Sequence, residues 1–222
     1  MEQYFSVLQA CPLFDGVARE EMSAMLGCLG ARSIGAARGQ IIFSEGDPAL
    51  YVGIVLEGAV RLIREDYYGN RSIVARITPG QVFGESYACA GLPRLPISVL
   101  AEEDCVCLLI DCRRITVSCT NACVFHSRMI FNLLRLVAEK NLLFHQKLEI
   151  TSKRTTRDKL MAYLMSQAKR SGSDEFTIPF DRQALADYLE VDRSGLSSEI
   201  GKLRREGRIA CDKNVFRLLP SE

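Results

Sequence analysis

Regularly spaced glycines divide the first half of this 222-residue chain into short β-prone runs. They stand at positions 39, 46, 58, 69, 80 and 84, and Asp47-Pro48 and Tyr68-Gly69-Asn70 add further turn residues. Short β-rich runs with a turn about every 8 to 12 residues are typical of an antiparallel barrel or sandwich. The predicted strands are Gln40–Phe43, Tyr51–Leu56, Ala59–Ile63, Ser72–Ile77, Ile97–Leu100 and Cys105–Ile110.

Helical patterns flank this β region. Two short apolar-periodic stretches, Phe5–Cys11 and Ala18–Leu29, predict helices before it, and from Asn121 a helical pattern continues for about thirty residues. We interpret the narrow apolar stripe of this long helix as a seam between two copies of the chain. A single stripe offers too little apolar surface to pack on the β domain as well. The alternative is a helix packed on its own β domain. The predicted dimer-interface residues are Ile130, Leu133, Val137, Phe144 and Leu148.

The last third of the chain carries two consecutive helix signals. A polar hinge, 151–156, a helix, Arg157–Lys169, and a break at 171–174 precede them. Asp181 and Asp192 are suitable N-caps for helices joined by a tight turn, which predicts a helix-turn-helix. The apolar interior is predicted to be Leu185, Leu189, Val191, Leu196, Ile200 and Leu203, and small Ala186 allows close approach. A β-hairpin wing follows at 209–218.

The outer face of the second helix has the composition of a DNA reader. It presents an Arg that can bond a guanine edge, together with short hydroxyls that let a helix sit deep in the major groove. The basic surplus also lies here: residues 151–222 carry 14 Lys and Arg against 11 Asp and Glu, whereas residues 1–150 carry 14 against 16. Glu190 stands where the turn commonly has Gly, at a cost of about 1 kcal/mol if its backbone is left-handed. The predicted DNA-binding residues are Arg182, Asp192, Arg193, Ser194, Ser197, Ser198 and Lys202.

The order of β-roll, long helix and winged helix-turn-helix resembles the Crp/Fnr family of bacterial transcription regulators over essentially the whole chain. The matching stretches are Leu56–Val60, Pro79–Glu85 and Arg182–Gly207. The resemblance implies an α+β fold with a jelly-roll-like effector domain at 1–120, a dimerisation helix at 121–150 and a DNA-binding domain at 151–222. It also implies a homodimer on a two-fold symmetric operator, a small-molecule effector, and RNA polymerase as a further partner.

The effector is not identified by the resemblance. Gly84 and Glu85 match the pair that holds the ribose in cyclic-AMP-binding members, with plain turn geometry and a solvated carboxylate as the alternative. The Arg-Ser pair that bonds the cyclic phosphate falls on Leu95-Pro96, which disfavours cyclic AMP unless a shifted loop lets Arg94 replace it. On the long helix, Asn141, Phe144 and His145 match positions lining the family's effector pocket, and His145 is also a candidate haem ligand.

Nine cysteines, in a chain without an export signal, are expected to be reduced thiols. Only Cys11 and Cys28 precede the β region, too few for the iron–sulfur cluster of oxygen-sensing members, so we expect none. Cys105 with Cys107, and Cys119 with Cys123, are possible thiol pairs for a redox switch or metal site, with buried inert cysteine as the alternative.

Other classes of protein are disfavoured. The two histidines, His126 and His145, lie outside the roll, so a cupin-like metal enzyme lacks its ligands, and no catalytic pairing or phosphate loop is visible. We therefore expect no catalytic residues and no metal site. No window approaches the roughly 18 apolar residues of a membrane span, and residues 1–10 do not form a signal peptide, which predicts a cytoplasmic protein with no membrane partner.

Overall fold

The computed structural model describes residues 1–65, 67–68, 71–116 and 124–219. The chain divides into two compact units, Met1–Glu139 and Lys140–Glu222, and each has its own hydrophobic core. The predicted turn residues 69 and 70, the predicted Cys119 and Cys123 pair, and the predicted boundary at 120 and 121 lie outside the described residues.

Two helices precede the sheets, as predicted. They are α1, Phe5–Ala10, and α2, Arg19–Cys28, with single 3-10 turns at Glu2–Tyr4 and Pro12–Phe14. The α2 helix is capped at its start by Glu21, whose carboxylate accepts the Ala18 backbone N–H at 3.3 Å. Leu8, Leu13 and Met22 are fully buried, so these helices form part of the core rather than a loose arm.

Two four-stranded antiparallel sheets form the predicted roll. One has the order β1-β8-β3-β6 and the other β2-β7-β4-β5. The strands are β1 Arg32–Ala36, β2 Ile41–Phe43, β3 Tyr51–Glu57, β4 Val60–Glu65, β5 Arg71–Ile77, β6 Val82–Phe83, β7 Ser98–Ala101 and β8 Cys105–Asp111. The sequence missed β1 and β6, and also two short helices, α3 Glu85–Cys89 and α4 Cys112–Thr116.

The central strands β3 and β8 are buried on both faces. Val52 and Ile54 of β3 belong to the core shared with the N-terminal helices, whereas Val55 belongs to the core inside the roll. Gly53 lies against the Phe83 ring, and a Cβ at this position would come within 2.2 Å of it. Only glycine fits there, and Phe83 occupies the space.

The long helix α5, Val124–Thr151, corrects the predicted seam. Leu133 is only 4% exposed in the single chain, and it packs with Met129 and Leu136 in the core of the first unit. A side chain with so little free surface has almost none to lose to a second chain, so its assignment to the seam was wrong. Val137 is half-buried against the same core. The alternative of packing on its own β domain therefore holds for this face of the helix.

The second unit is a winged helix-turn-helix. Its elements after α5 are α6 Thr156–Ser171, β9 Glu175–Thr177, α7 Arg182–Leu189, α8 Arg193–Arg205, β10 Ile209–Asp212 and β11 Val215–Leu218. The α6 helix ends at Gly172, which is left-handed as a C-terminal break requires. The predicted hairpin gains a third strand, since β9 pairs antiparallel with β11.

The predicted interior of the helix-turn-helix is buried. Leu185, Ala186, Leu189 and Leu196 have no exposed surface. Val191, at the turn, is half-buried and packs against them, and the core continues through Ile200 and Leu203. This packing fixes α8 against α7 and leaves the opposite face of α8 free.

Candidate DNA interface and effector region

Both predicted caps of the helix-turn-helix are present. The Asp181 carboxylate accepts the Ala184 N–H at 2.8 Å, and the Asp192 carboxylate accepts the Gly195 N–H at 2.9 Å. Asp192 also accepts a hydrogen bond from the Ser194 hydroxyl. These bonds, that from Ser194 first, lower the pKa of Asp192 below its ordinary value. The start of α8 is therefore held by an ionised carboxylate.

The turn before α8 has the left-handed backbone expected at Glu190, whose φ is 54°. The strain is offset locally, because the Val191 N–H donates to the Ala186 carbonyl at 3.1 Å. The Lys159 ammonium donates to the carbonyls of Leu189 and Glu190 at 3.2 and 3.3 Å, which neutralises the C-terminal end of α7. The turn is thus fixed without glycine.

The predicted reading face of α8 is exposed to solvent. Arg193, Ser194, Ser197, Ser198 and Lys202 are all exposed, while Leu196, Ile200 and Leu203 turn inward. The Lys202 ammonium is paired with Glu199 at 2.6 Å, so it must leave that carboxylate to contact a phosphate.

Sequence reasoning missed part of this face. A shallow depression of about 550 Å³ is lined by Ser197, Ser198, Gly201, Arg204 and Arg205. The two arginines lie in the last turn of α8, where their charge is favourable for the helix dipole and adds basic surface next to the serines. They lie seven residues, about two turns, beyond Ser197 and Ser198, and this spacing is the signal that could have identified them.

Arg182 begins α7 and is half-buried. Its guanidinium lies 5.9 Å from the centroid of the Phe216 ring in the wing, a cation–π contact. At the other end of the motif, Arg157 of α6 forms a two-point ion pair with Glu206, just after α8, with one contact of 3.0 Å. Both interactions tie the motif to its neighbours.

In the first unit, Gly84 has the turn geometry of the alternative, whereas Glu85 is not the solvated carboxylate that the alternative expected. Gly84 is left-handed, with φ of 78°, and a Cβ there would lie 2.8 Å from the Tyr51 carbonyl oxygen. Glu85 is buried, and its carboxylate accepts a hydrogen bond from Ser86 at 3.2 Å. Gly84 is the N-terminal cap of α3, and Glu85 is its first residue.

Beside Gly84, the interior of the roll is nearly filled. The cavity at this place is about 10 Å³, which is the space of a single water molecule. Leu95 is 7% exposed and lines this cavity. Arg94 is exposed and does not line it; its guanidinium donates to the Gly46 carbonyl at 2.8 Å. The other lining residues are Phe43, Pro48, Ala49, Tyr51, Phe83, Ile97 and Val99.

The effector candidates on α5 lie in the second unit. Asn141, Phe144 and His145 are exposed, and Phe144 is 66% exposed. Phe144 lines an open cavity of about 890 Å³ within this unit, together with aromatic Tyr163 and Tyr188. Asn141 and His145 do not line that cavity.

The cysteines predicted as a thiol pair in the roll are both buried. Burial raises the pKa of Cys107 to about 12 and also raises the pKa of Cys105. Thiols with raised pKa values form little thiolate at neutral pH, so this pair matches the description of inert core cysteines.

Among the helices of the described ranges, none combines the length and apolar character that crossing a lipid bilayer requires.

Comparison with known proteins agrees with this architecture. The family model of the cyclic nucleotide-binding domain matches residues 35–116, and that of the Crp-like helix-turn-helix domain matches residues 158–219. The nitrogen fixation regulation protein FixK of Azorhizobium caulinodans is 25% identical over 210 residues, which cover 88% of this chain and 79% of that protein.

Solved structures share the fold. The global regulator CLP of Xanthomonas campestris superposes with a TM-score of 0.57 at 16% identity, over 92% of this chain and 100% of that one. DNR of Pseudomonas aeruginosa superposes with a TM-score of 0.51 at 18% identity, over 99% of this chain and 95% of that one.

The chain is a DNA-binding transcription regulator and not an enzyme. With a cyclic nucleotide-binding domain followed by this helix-turn-helix, it belongs to the Crp/Fnr family.

Proposed function

We propose that the chain acts as a homodimer that binds a two-fold symmetric operator, with α8 of each copy in the major groove. The exposed face of α8 carries this proposal. It combines a capped N-terminus, three serines whose small side chains allow close approach to DNA, and a basic last turn. Its DNA target also supports a cytoplasmic location. Contact with RNA polymerase is a further part of the proposal, by family resemblance alone.

The residues of this face divide by role. Arg193 is the proposed base contact, since a guanidinium can bond a guanine edge at two points. Ser194 donates its hydroxyl hydrogen to Asp192, so it meets the DNA as an acceptor, a role suited to base amino groups. Ser198 and Lys202 face the DNA, and Arg182 contacts phosphate once it is displaced from Phe216.

Dimerisation is proposed through the face of α5 that the first unit leaves uncovered. Phe131 and Leu134 are 62% and 66% exposed, and Leu148 is 53% exposed. These residues fall on a repeat of three and four residues, which places them on one face of a helix, as in a coiled coil. The complete stripe is Phe131, Leu134, Ala138, Asn141, His145 and Leu148, and all its members are exposed. Of the predicted seam it keeps Leu148 and leaves out Ile130, Leu133, Val137 and Phe144.

We propose that the roll, in the state described, does not bind cyclic AMP. A cavity for a ligand of that size spans about 300 Å³ or more, against roughly 10 Å³ for the cavity beside Gly84. Leu95 fills part of the interior, and no cation lines it among the described residues. Calorimetric titration with cyclic AMP is expected to give no saturable heat, and saturable binding at micromolar concentrations would contradict the proposal.

DNA binding is tested by selecting duplexes from a random-sequence pool and measuring affinity in gel shifts at several salt concentrations. The selected sequences are expected to be palindromic. Arg193→Ala is expected to cost about 1–3 kcal/mol on the selected duplex and little on unselected DNA. Lys169→Ala, which removes an exposed cation of α6, is the matched control and should change neither affinity.

Arg182→Ala separates phosphate from base contacts. It is expected to weaken both kinds of duplex equally and to lower the slope of log affinity against log salt by about 1. Equal losses for Arg193→Ala on selected and unselected duplexes would remove the base contact, and an affinity independent of salt would refute DNA binding by this face.

A further inference from the structure

The fold brings together two cysteines that the sequence keeps apart. Cys89 ends α3 and Cys112 begins α4, and their Sγ atoms lie 3.7 Å from each other. A disulfide has its sulfurs about 2.05 Å apart, so the pair needs to close by about 1.7 Å. This distance makes the two thiols direct neighbours.

Both cysteines are anchored beside the start of β3. The Cys112 backbone N–H donates to the Leu50 carbonyl at 2.9 Å. At the other end of α3, Gly84 lies so close to the Tyr51 carbonyl oxygen that no Cβ fits. The sulfurs are therefore held together by the backbone of neighbouring residues, and not by a chance rotamer of two mobile loops.

The two thiols differ in access. Cys89 is exposed, whereas Cys112 is 6% exposed and belongs to the hydrophobic core. An oxidant in solution therefore meets Cys89 first, and Cys112 lies behind it in the position of a resolving thiol. The two thiols share a hydrogen bond in which either sulfur can be the donor, and this contact raises the pKa of Cys89 and lowers that of Cys112. An exposed member distinguishes this pair from Cys105 and Cys107, which are both buried.

We propose that Cys89 and Cys112 form a reversible intramolecular disulfide when the chain meets a peroxide. In the first step the Cys89 sulfur attacks one peroxide oxygen, an S–O bond forms and the O–O bond breaks. The Cys89 thiol proton passes through solvent to the leaving hydroxide, which departs as water. In the second step the Cys112 sulfur attacks the sulfenic sulfur of Cys89, the S–S bond forms and the S–O bond breaks, and the leaving hydroxide takes the Cys112 proton to give the second water. Two thiols and one hydrogen peroxide thus give one disulfide and two waters.

The test uses the full chain, treated with hydrogen peroxide and then alkylated and digested with trypsin. Oxidation is expected to remove about 2 Da, two hydrogen atoms, and dithiothreitol should restore them. The cross-linked product should join peptide 77–94, in which Cys89 is the single cysteine, to peptide 95–113. A second digestion with chymotrypsin, which cuts at Leu108 and Leu109, separates Cys112 from Cys105 and Cys107.

Variants assign the sulfurs. Cys89→Ser, at an exposed position, should abolish the cross-link, and Cys112→Ala should leave Cys89 as a sulfenic acid that dimedone traps. Cys28→Ser, which removes an exposed thiol of α2, is the matched control and should form the cross-link as the wild type does. A wild-type chain that oxidises without this cross-link, or a cross-link that survives Cys112→Ala with native circular dichroism, overturns the proposal.

Discussion

Leu134→Ala and Leu133→Ala, neighbouring changes of the same kind, are expected to have different effects because the two side chains lie on different faces of α5. Leu134 is 66% exposed and belongs to the proposed seam, whereas Leu133 is 4% exposed in the core of the first unit. Burial of each carbon atom is worth about 0.8 kcal/mol. Leucine to alanine removes three carbon atoms. The single chain leaves two-thirds of the Leu134 surface exposed, and a dimer would cover it. The burial free energy lost is therefore about 1.6 kcal/mol per side chain.

A symmetric dimer contains two copies of Leu134, so the change should weaken it by about 3 kcal/mol, or roughly 150-fold in its dissociation constant. Leu133→Ala should instead cost about 2–5 kcal/mol of unfolding free energy and leave the dissociation constant of the folded protein within about threefold. Sedimentation equilibrium measures the first quantity and urea denaturation the second. A large dimer defect for Leu133→Ala with normal stability, or none for Leu134→Ala, would refute the assignment of the two faces.

Three further changes test the turns and caps. Gly84→Ala should destabilise the chain by about 2–3 kcal/mol in urea, against about 1 for Gly91→Ala, because both are left-handed but Gly91 has open space where Gly84 meets the Tyr51 carbonyl. Glu190→Gly should stabilise the helix-turn-helix by up to about 1 kcal/mol by removing left-handed strain, and a net loss would show that its carboxylate matters more. The pKa of Asp192 is lower in the folded chain than in the unfolded chain, where it is near 3.8. The Asp192 cap therefore stabilises the fold fully above pH 3.8, and this stabilisation is lost as the pH falls through the pKa of the folded state. Asp192→Asn should remove this acid dependence from thermal unfolding curves.

Local interactions explain which parts of the structure could be predicted. The caps at Asp181 and Asp192 and the left-handed Glu190 depend on residues three or four positions away, and the sequence identified all three. Strand β9 has only three residues and gains its partner from β11, about forty positions later, so no local pattern predicts it. The same reason explains why the Cys89 and Cys112 pair was missed, since α3 is too short for its direction to be inferred from periodicity.

The long helix shows a different limit. Periodicity identifies an apolar stripe on a helix. Two adjacent apolar stripes, however, give one broad apolar pattern, in which the neighbouring Leu133 and Leu134 cannot be assigned to separate faces. Which of them faces the protein's own core depends on where the sheets and N-terminal helices lie, and that is a tertiary property. The sequence argument assumed that one stripe cannot serve two partners, whereas the structure gives α5 a buried face and an exposed apolar face.

The filled interior of the roll constrains how a signal can act on this regulator. A ligand shifts a conformational equilibrium only through a difference in its binding free energy between two states, and binding first requires space. With about 10 Å³ beside Gly84, a nucleotide-sized molecule would have to displace Leu95 or Phe83 from the core, and the lost burial of each would cost about 1.5–3 kcal/mol before any contact is made. Oxidation of Cys89 and Cys112 needs no such space, because the reacting atoms are already in contact and one of them is exposed. Covalent chemistry at that thiol pair is therefore a route by which this closed state can respond without opening space for a ligand beside Gly84.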